Sequence, residues 1–403
     1  MRSVDVVIVG ASLAAAAAAK RLVDAGLETL VLERKELPRH KICSGILSPR
    51  GHRFLLENFG PLPRETLHEP TSCRGVTFHF PSMVSMPMDF FGGPTPHLHR
   101  KYSDYWAIQR SGAEVHDRTS FVGLEDRGGH VLVQARKQGE PVEYRARQVI
   151  GADGPSLPVV RALYPDYPKQ IPWFFVGQKF HDIIDCPLSP DYFHFWFHPG
   201  LGHYTWSHAR DGRQIVGVGF KRGDNFARKH QVVQRYLEEK HCVRLQPPDD
   251  DIEGCAENFG PSLINRYVFG KGNVLVTGQA AGFLNMIGEG MSCALHSGAI
   301  SGEAVVEARL RNRPVQEIYR KMIASEVRRT TDQWNPLKIA FDKPHEADFP
   351  AALMELSWGD RAKVLRDMWR FVVLFKEFKW GRQIASAALQ RPIIGGYSMR
   401  RWL

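Results

Sequence analysis

The stretch that most constrains this chain is its start, where a turn of small residues separates two apolar runs. Val4 to Val9 is β-branched and continuous, residues 10–15 are small, Ala16 to Asp24 favours helix, and Glu28 to Leu32 is a second apolar run. Neither run alternates polar with apolar residues, as expected for strands covered on both faces of a parallel sheet. The sequence therefore predicts a βαβ unit.

The small-residue turn lies where a G-x-G-x-x-G/A dinucleotide fingerprint would lie. Gly10 can make the tight turn and Ala15 keeps the third position small, whereas Ser12 replaces the middle glycine. Glu33 closes the second strand, the place for a carboxylate that accepts hydrogen bonds from an adenosine ribose. These features predict a dinucleotide site; the alternative is an Ala-rich helix after any buried strand, with Glu33 at a solvated strand end.

Composition bounds the class of protein. The 403 residues are 43% hydrophobic and 24% charged, an ordinary globular composition with room for two domains. The net charge of +10 can steer a protein toward phosphates, acidic ligands or anionic membranes. Because the basic residues are scattered and no zinc-finger spacing or RNA-binding signature is present, we expect no nucleic-acid partner.

Cysteine spacing and hydropathy give two further expectations. The six cysteines form no C-x-x-C pair, which predicts reduced thiols in a cytosolic protein and no metal site. The uncharged stretch from Val6 to Ala19 is shorter than the ~20 residues needed to cross a bilayer. We therefore expect a cytoplasmic protein, soluble or bound peripherally at the inner face of the membrane.

Two more glycine-rich turns follow apolar runs later in the chain. Gly151-Ala152-Asp153-Gly154 comes after Gln148-Val149-Ile150, and Gly278-Gln279-Ala280-Ala281-Gly282-Phe283 precedes Gly288-Glu289-Gly290-Met291 and a small-residue helix from Ser292 to Ala304. Glycines ahead of a helix leave backbone N–H groups available for an anionic ligand. An Asp-Gly turn or a helix N-terminus without a ligand is the alternative.

Taken in order over residues 4 to 304, these motifs resemble FAD-dependent oxidoreductases of the para-hydroxybenzoate hydroxylase fold, most closely the geranylgeranyl reductase family. Residues 41–50, K-I-C-S-G-I-L-S-P-R, are similar to that family's K-x-C-G-G-x-L-S-P-R segment beside the flavin. The run from His99 to Tyr105 resembles its R-x-x-F-D element. Gly202-His203-Tyr204-Thr205-Trp206, with Val216-Gly217-Val218-Gly219, is similar to its G-Y-x-W-x-F-P and V-G-x-G strands.

The chain also departs from the family pattern. Ser12 replaces a glycine, Gln279 replaces an aspartate, and Ser207-His208 stands where F-P is typical. The loop between Asn285 and Gly288 is one residue shorter than usual. The side-chain amide oxygen of Gln279 can still accept a hydrogen bond from a ribityl hydroxyl.

The resemblance implies FAD as cofactor and assigns roles to residues. Residues around the first turn would hold the pyrophosphate, Glu33 the ribose and Arg100 the adenine half or the phosphates, while the N–H groups of Gly290 and Met291 would face the pyrimidine edge. The cofactor-binding candidates are Gly10, Ser12, Leu13, Ala14, Ala15, Glu33, Arg34, Cys43, Ser44, Gly45, Arg100, Asp153, Gly154, Gly278, Gln279, Gly288, Gly290 and Met291.

Substrate and proton-donor candidates come from the same resemblance and from the aromatic runs. Cys43 is the family-matched catalytic candidate and Tyr204 is a second, with a buried structural cysteine and a wall tyrosine as the alternatives. Trp173, Phe195 and Trp206 suit an apolar substrate slot, although ordinary sheet core would use the same residues.

The expected fold is mixed α/β: a Rossmann-like FAD-binding domain, an interleaved antiparallel-sheet substrate domain and a helical C-terminus. The FAD-binding domain would comprise residues 1–70, 98–165 and 265–310, the substrate domain residues 71–97 and 166–264, and the helical region residues 311–403. In the last region, Lys363 to Trp380 is basic and amphipathic, which suits a helix packed on the body or one lying on a membrane surface.

The function expected is reduction of C=C bonds in an isoprenoid or other apolar substrate by hydride from reduced flavin. A flavin monooxygenase or halogenase is the alternative, the halogenase disfavoured because no W-x-W-x-I-P segment is present. A flavin-less lipid or prenyl escort is the second alternative. Since no second G-x-G-x-x-G occurs, the external electron donor, NAD(P)H or a redox protein, is not identified by the sequence.

Overall fold

The computed structural model describes most of the chain, including the two main β-sheets. The described residues are 1–79, 85–196, 198–201, 205–221, 223–248, 253–257, 260–285, 287–342 and 357–359. Two of the features singled out above, Tyr204 and the stretch from Lys363 to Trp380, lie outside them.

The first sheet, called sheet I, has eight strands with a parallel centre. Its order is β18-β19-β10-β1-β2-β7, and the hairpin β8–β9 pairs onto β10. The pairs β19–β10, β10–β1, β1–β2 and β2–β7 are parallel. The strands are β1 (Arg2–Val9), β2 (Thr29–Leu32), β7 (Glu114–His116), β8 (Thr119–Asp126), β9 (Val131–Lys137), β10 (Glu140–Gly151), β18 (Gly270–Lys271) and β19 (Val274–Val276).

Helices cover sheet I and extend from it. Helix α1 is almost entirely buried, as its run of alanines permits, and it packs along α7. The two helices approach closely because Gly298 and Gly302 face the carbonyl oxygens of Ala14 and Ala18, where a Cβ atom would overlap them. The helices are α1 (Leu13–Asp24), α2 (Pro49–Phe59), α3 (Arg100–Arg110), α4 (Pro158–Leu163), α5 (Phe226–His241), α6 (Gly260–Leu263), α7 (Met291–Arg311) and α8 (Val315–Asp342).

The second sheet, sheet II, has seven strands in the order β17-β11-β15-β14-β13-β4-β5. It is antiparallel as expected, except that β13 and β4 run parallel because β4 comes from a separate excursion of the chain. The strands are β4 (Gly75–His79), β5 (Ser85–Asp89), β11 (Phe174–His181), β13 (Tyr192–Trp196), β14 (Thr205–Arg210), β15 (Arg213–Lys221) and β17 (Glu253–Glu257).

Two small sheets complete the described strands. One pairs β3 (Leu67–Cys73) with β6 (Thr95–Leu98), and the other pairs β12 (Ile183–Asp185) with β16 (Arg244–Leu245). The mixed α/β fold with interleaved sheets and a helical segment after α7 is confirmed. Among the described residues, no helix combines the length and apolar character needed to span a membrane.

The parallel strands bring the sequence motifs to one edge of sheet I. Gly10 follows β1, Glu33 follows β2, Asp153 follows β10 and Gly278 follows β19. Ligands of open α/β sheets bind outside the carboxyl ends of such strands. The fold therefore gathers the predicted dinucleotide motifs at the edge where a dinucleotide would bind.

Candidate functional site

Gly10 makes the turn out of β1, as the fingerprint predicts. Its φ is +95°, a region that favours glycine, and a Cβ atom there would lie 2.8 Å from the Ala152 carbonyl oxygen. Its N–H donates to the Leu32 carbonyl oxygen at 2.7 Å. The chain thus turns tightly between the ends of β2 and β10.

Ser12, the departure from the fingerprint, has a structural role of its own. It is the N-cap of α1: its Oγ accepts from the Ala15 N–H at 3.3 Å and donates to the Ala152 carbonyl oxygen at 2.9 Å. The N–H groups of Leu13 and Ala14 have no acceptor within the described part of the chain. Ser12 therefore ties the first turn to the Gly151–Gly154 turn and leaves two amides for a phosphate.

Glu33 is buried, so the solvated strand end considered above does not occur. Its Oε2 accepts from the Ala11 N–H at 3.0 Å and from Arg39 Nε at 2.9 Å, and its Oε1 accepts from the Lys35 N–H at 3.0 Å. Arg39 also donates to the Ala11 carbonyl oxygen at 2.7 Å. Arg34, the neighbouring candidate, is exposed to solvent.

Sequence reasoning missed Arg39, because only the fold brings its guanidinium back over the turn that follows β1. It lies six positions after Glu33 in a stretch with several basic residues, and no local spacing marks it out. The one available signal was charge: a buried carboxylate requires a cation nearby. Arg39 is half-buried beside Glu33, where it would meet the adenosine end of a dinucleotide.

Arg100 is fixed in place at the start of α3. It makes two hydrogen bonds to Asp104, of 2.7 and 3.0 Å, and its side chain also interacts with that of Cys43. Burial by itself lowers the pKa of Arg100, but the attraction of Asp104 and Cys43 outweighs it, and the pKa is raised. Arg100 therefore stays charged. Its partner Asp104 lies 3.6 Å from the guanidinium of Arg39, so these side chains connect the Glu33–Arg39 pair to the Cys43 loop.

The Cys43 loop is held from both halves of the molecule. Gly45 has a φ of +83°, and its carbonyl oxygen accepts from the Leu98 N–H at 2.8 Å. His97 bonds the Ser44 carbonyl oxygen at 2.9 Å, and Arg210 of β14 donates to the Cys43 carbonyl oxygen at 3.0 Å. The Cys43 Sγ accepts from the Gly45 N–H at 3.4 Å. Sheet II thus reaches directly to the loop that carries the predicted catalytic cysteine.

Asp153 lies at the second glycine turn. Its Oδ2 accepts from the Val159 N–H at 2.9 Å, while its Oδ1 is buried with no hydrogen-bond partner among the described residues. Burial raises the pKa of Asp153 to about 6. Gly154, with a φ of +74°, makes the turn that follows. An unsatisfied buried carboxylate oxygen fits a donor supplied by a bound ligand.

The third glycine segment leads into α7. Gly278 donates its N–H to Ser297 Oγ at 3.0 Å, and Gln279 beside it is half-buried. Gly288 has a φ of +73°, and the loop closes on Gly290, the N-cap of α7. The Glu289 carboxylate accepts from the Ser292 N–H at 2.8 Å, whereas the N–H groups of Gly290 and Met291 find no acceptor within the described ranges.

Of the predicted substrate residues, Phe195 and Trp206 lie in one apolar cluster. The cluster also contains Ile46, from the Cys43 loop, and Ile287 packs against it from the segment before α7. Gly217 pairs with Trp206 across β14 and β15, and a Cβ atom on Gly217 would overlap the indole. This explains why a glycine stands opposite the tryptophan.

Trp173, the third substrate candidate, lies elsewhere. It is half-buried against the hydrophobic core of sheet I, and its Nε1 donates to the Pro168 carbonyl oxygen at 2.8 Å. The structure therefore does not bring Trp173 together with Phe195 and Trp206. The next residue, Phe174, begins strand β11 of sheet II, so two adjacent aromatic residues belong to different parts of the molecule.

Ser207 and His208 occupy the positions where the family has F-P. Ser207 donates to the Ile215 carbonyl oxygen at 2.7 Å. His208 is buried, and neither ring nitrogen has hydrogen-bond geometry to a described residue, although the Ser44 carbonyl acts to raise its pKa. Burial, His97 and Arg210 outweigh that effect and lower the pKa of His208 well below its usual value. The imidazole is neutral and polar in a largely apolar wall.

The residues at the edge of sheet I fit FAD. A glycine cradle at Gly10, open amides at the starts of α1 and α7, a buried carboxylate after β2 and the unsatisfied Asp153 oxygen are what a dinucleotide requires. Fold and site together define an FAD-dependent oxidoreductase.

Comparison with known proteins identifies the family. The chain is 30% identical over 321 residues to digeranylgeranylglycerophospholipid reductase 1 of Methanopyrus kandleri, a match covering 75% of this chain and 80% of that protein. A geranylgeranyl bacteriochlorophyll reductase-like protein of Thermoplasma acidophilum superposes with a TM-score of 0.72 at 20% identity, covering 91% and 96% of the two chains. The chain belongs to the geranylgeranyl reductase family of FAD-dependent oxidoreductases.

More distant matches agree on the fold. The flavin-dependent halogenase CmlS superposes with a TM-score of 0.68 at 15% identity, covering all of this chain and 76% of CmlS. No family model matches the chain. The prediction of family, cofactor and enzyme class is confirmed, and the halogenase likeness concerns the fold alone.

Proposed function

We propose that this protein reduces C=C bonds of an isoprenoid chain, with hydride supplied by the reduced form of bound FAD. The observation that carries the proposal is the apolar cluster around Trp206, because Ile46 and Ile287 reach it from two cofactor-side loops. A buried apolar cluster that meets those loops is compatible with a hydrocarbon substrate beside it. The name of the Methanopyrus relative, a reductase of geranylgeranyl lipids, supports the same class of substrate.

The chain's own residues would bind and orient the cofactor. FAD supplies hydride chemistry at the flavin ring when bound. The amides of Leu13 and Ala14 would hold its diphosphate at the N-terminus of α1, and Glu33, oriented by Arg39, would bind its ribose. The amides of Gly290 and Met291 would stabilise negative charge on the pyrimidine edge.

Reduction of an alkene also needs a proton, and Cys43 is our proposed donor. Its side chain lies beside the Arg100 guanidinium and accepts from the Gly45 N–H. Its loop is fixed by Arg210 and His97, which would hold the thiol in one position.

The test is anaerobic turnover with a polyprenyl substrate and chemically reduced enzyme, followed by product mass. We expect a gain of two hydrogens per reduced bond. Cys43→Ser should keep its flavin and lose on the order of 10²-fold in kcat, the usual contribution of a positioned acid. Cys242→Ser, at an exposed cysteine after α5, is the matched control and should retain wild-type turnover.

Other outcomes would favour the other functions. Hydroxylated product with oxygen consumption would establish a monooxygenase, and halide-dependent product a halogenase. Protein that binds no FAD even at excess cofactor would contradict both enzyme classes and support a prenyl-binding escort.

We further propose that the protein acts in the cytoplasm, at the inner face of a membrane, where its apolar substrate would reside. The basic amphipathic pattern from Lys363 to Trp380 supports this contact. Co-sedimentation with anionic vesicles, compared with neutral vesicles and with a chain ending at residue 360, tests it. Equal binding of both chains would contradict a role for this stretch.

A further inference from the structure

A cavity of about 250 Å³ lies next to the Cys43 loop, between residues of α3 and the turn that joins β14 to β15. Five of its lining residues carry a permanent positive charge: Lys41, Arg100, Lys101, Arg210 and Arg213. Asp211 is the one carboxylate of the described lining. We call this cavity the cationic pocket.

Part of the positive charge is compensated locally. Arg100 is paired with Asp104, Arg213 with Asp182, and Asp211 bonds His68 Nδ1 at 2.7 Å. No carboxylate in the described part of the chain forms an ion pair with Lys41 or Lys101. Like charges gathered around a small cavity repel one another, so an anion in the pocket would stabilise them.

The titratable groups of the pocket respond to this field. Burial and then Arg210 and His97 lower the pKa of His68 to about 3, although Asp211 opposes the shift. Burial also lowers the pKa of His99, with Arg210 and His40 adding to the effect and Asp211 opposing it. These imidazoles are neutral donors and acceptors at pH 7, and the positive charge belongs to the lysines and arginines.

The lining also indicates what kind of anion fits. Apart from Phe180 and the Cys43 thiol, the described lining is charged or imidazole. The guanidinium carbon of Arg210 lies over the Phe180 ring, 4.5 Å from the ring centre, and that of Arg213 lies 5.6 Å from the same centre. An isoprenoid chain would find no apolar path here, whereas a diphosphate would find several cations to balance its charge.

We propose that the cationic pocket binds the diphosphate of a nicotinamide dinucleotide, the external donor that reduces the flavin. The inference rests on the proposed function, which requires a reductant, and on a sequence with no second dinucleotide fingerprint. The reduced nicotinamide would give a hydride, two electrons and one proton together, to the flavin and leave as the oxidised pyridinium. The pocket borders Cys43, so its occupant would lie beside the proposed flavin loop.

The experiment titrates FAD-loaded enzyme with NADP⁺ and NAD⁺ by calorimetry and follows flavin bleaching by NADPH and NADH without oxygen. Lys41→Glu and Lys101→Glu should each weaken dinucleotide binding at least tenfold, with binding that falls steeply as salt rises. Lys321→Glu, at an exposed lysine of α8, makes the same charge change elsewhere and should leave binding within twofold.

Three results would overturn the inference. The lysine variants could bind dinucleotide and bleach as the wild type does. Inorganic pyrophosphate could bind only enzyme stripped of FAD, which would make the pocket part of the flavin site. A prenyl diphosphate could compete with NADP⁺, which would make it a substrate headgroup site.

Failure of this inference is distinguishable from failure of the proposed function. Flavin content and turnover driven by chemical reductant test the function without any dinucleotide. Wild-type enzyme that turns over with chemical reductant yet neither binds nor oxidises a dinucleotide would contradict the donor site alone. Enzyme that bleaches with NADPH yet reduces no alkene would contradict the function and leave the donor site standing.

Discussion

The two sheets bury different kinds of side chain. The parallel centre of sheet I is hydrocarbon: Val6, Val7 and Ile8 of β1 are completely buried, as are Leu30 and Val31 of β2. Sheet II buries imidazoles among its aromatic residues, and these are His79, His181, His194 and His208. Hydrocarbon packing is insensitive to pH, whereas a buried imidazole must stay neutral.

One chain of hydrogen bonds shows how sheet II satisfies this requirement. The Ser189 carbonyl oxygen can only accept, so His194 Nε2 carries the proton in their 3.0 Å bond. Neutral His194 then accepts at Nδ1 from His79 Nε2, at 3.0 Å, and His79 Nδ1 accepts from Ser85 Oγ at 2.7 Å. A proton added to either ring would break this order. We call the part of the molecule around sheet I the cofactor half and the part around sheet II the wall half. The cofactor half is stabilised by close packing, whereas the wall half also depends on buried histidines that keep their neutral tautomers.

The largest expected effect breaks the packing of the cofactor half. Gly298→Leu would place a side chain against the Ala14 carbonyl oxygen and separate α7 from α1. We expect a loss of about 3 kcal/mol or more in the free energy of unfolding, with loss of bound FAD. Urea denaturation and flavin content measure both.

Gly129→Ala is the control, because a Cβ atom at this hairpin glycine would meet no atom within 4 Å. It should unfold at the wild-type urea concentration. Equal stability of Gly298→Leu and Gly129→Ala would show that the α1–α7 contact does not hold the cofactor half together.

A smaller effect is expected from the corresponding change in sheet II. Gly217→Ala would push against the Trp206 indole and cost about 2 kcal/mol. The indole should move, which tryptophan fluorescence would report, while FAD stays bound. Gly254→Ala on β17, where the Cβ atom would be 3.4 Å from the Val176 carbonyl oxygen, is the matched control. Loss of FAD from Gly217→Ala would mean that the two halves do not respond separately.

The smallest effect concerns acid. Burial first, and then His194 and His241, lower the pKa of His79 to about 3, so unfolding takes up a proton between that value and the ordinary 6.5. Stability should therefore fall as pH drops below about 6.5. His79→Phe, which keeps a ring stacked 4.5 Å from Trp196, should reduce the acid slope by the one proton that His79 takes up, while other buried histidines such as His68 keep their contribution.

The measurement is the urea midpoint at several pH values, read by tryptophan fluorescence and by flavin release. If the urea midpoint of His79→Phe falls with decreasing pH as steeply as that of the wild type, His79 does not cause the acid dependence. Flavin release that precedes the fluorescence change in acid would reverse the comparison between the halves.

The local patterns of the chain predicted the cofactor half closely. The strand, small turn and second strand at the N-terminus all form, Gly10 has the positive φ that its role requires, and Glu33 lies at the end of β2. These features depend on residues near one another in sequence, where periodicity and turn chemistry are informative.

Contacts between distant residues were less accessible. The parallel pairing of β13 with β4, the return of Arg39 to Ala11 and the reach of Arg210 to Cys43 join segments from 28 to 167 residues apart. Trp173 was grouped with Phe195 and Trp206 because all three are aromatic, yet it packs against the other core. Residue type predicts burial, but not which of two cores a side chain enters.

By itself, the sequence determined the βαβ unit, the order of the glycine motifs and the family, since each depends on short spacings that backbone sterics and phosphate recognition enforce. Only the tertiary structure decided that four strand ends share one edge, that Arg210 of sheet II holds the Cys43 loop, and that cations from separate segments surround one pocket. The reason is physical: long-range contacts arise from the packing of whole elements, and no local spacing encodes them.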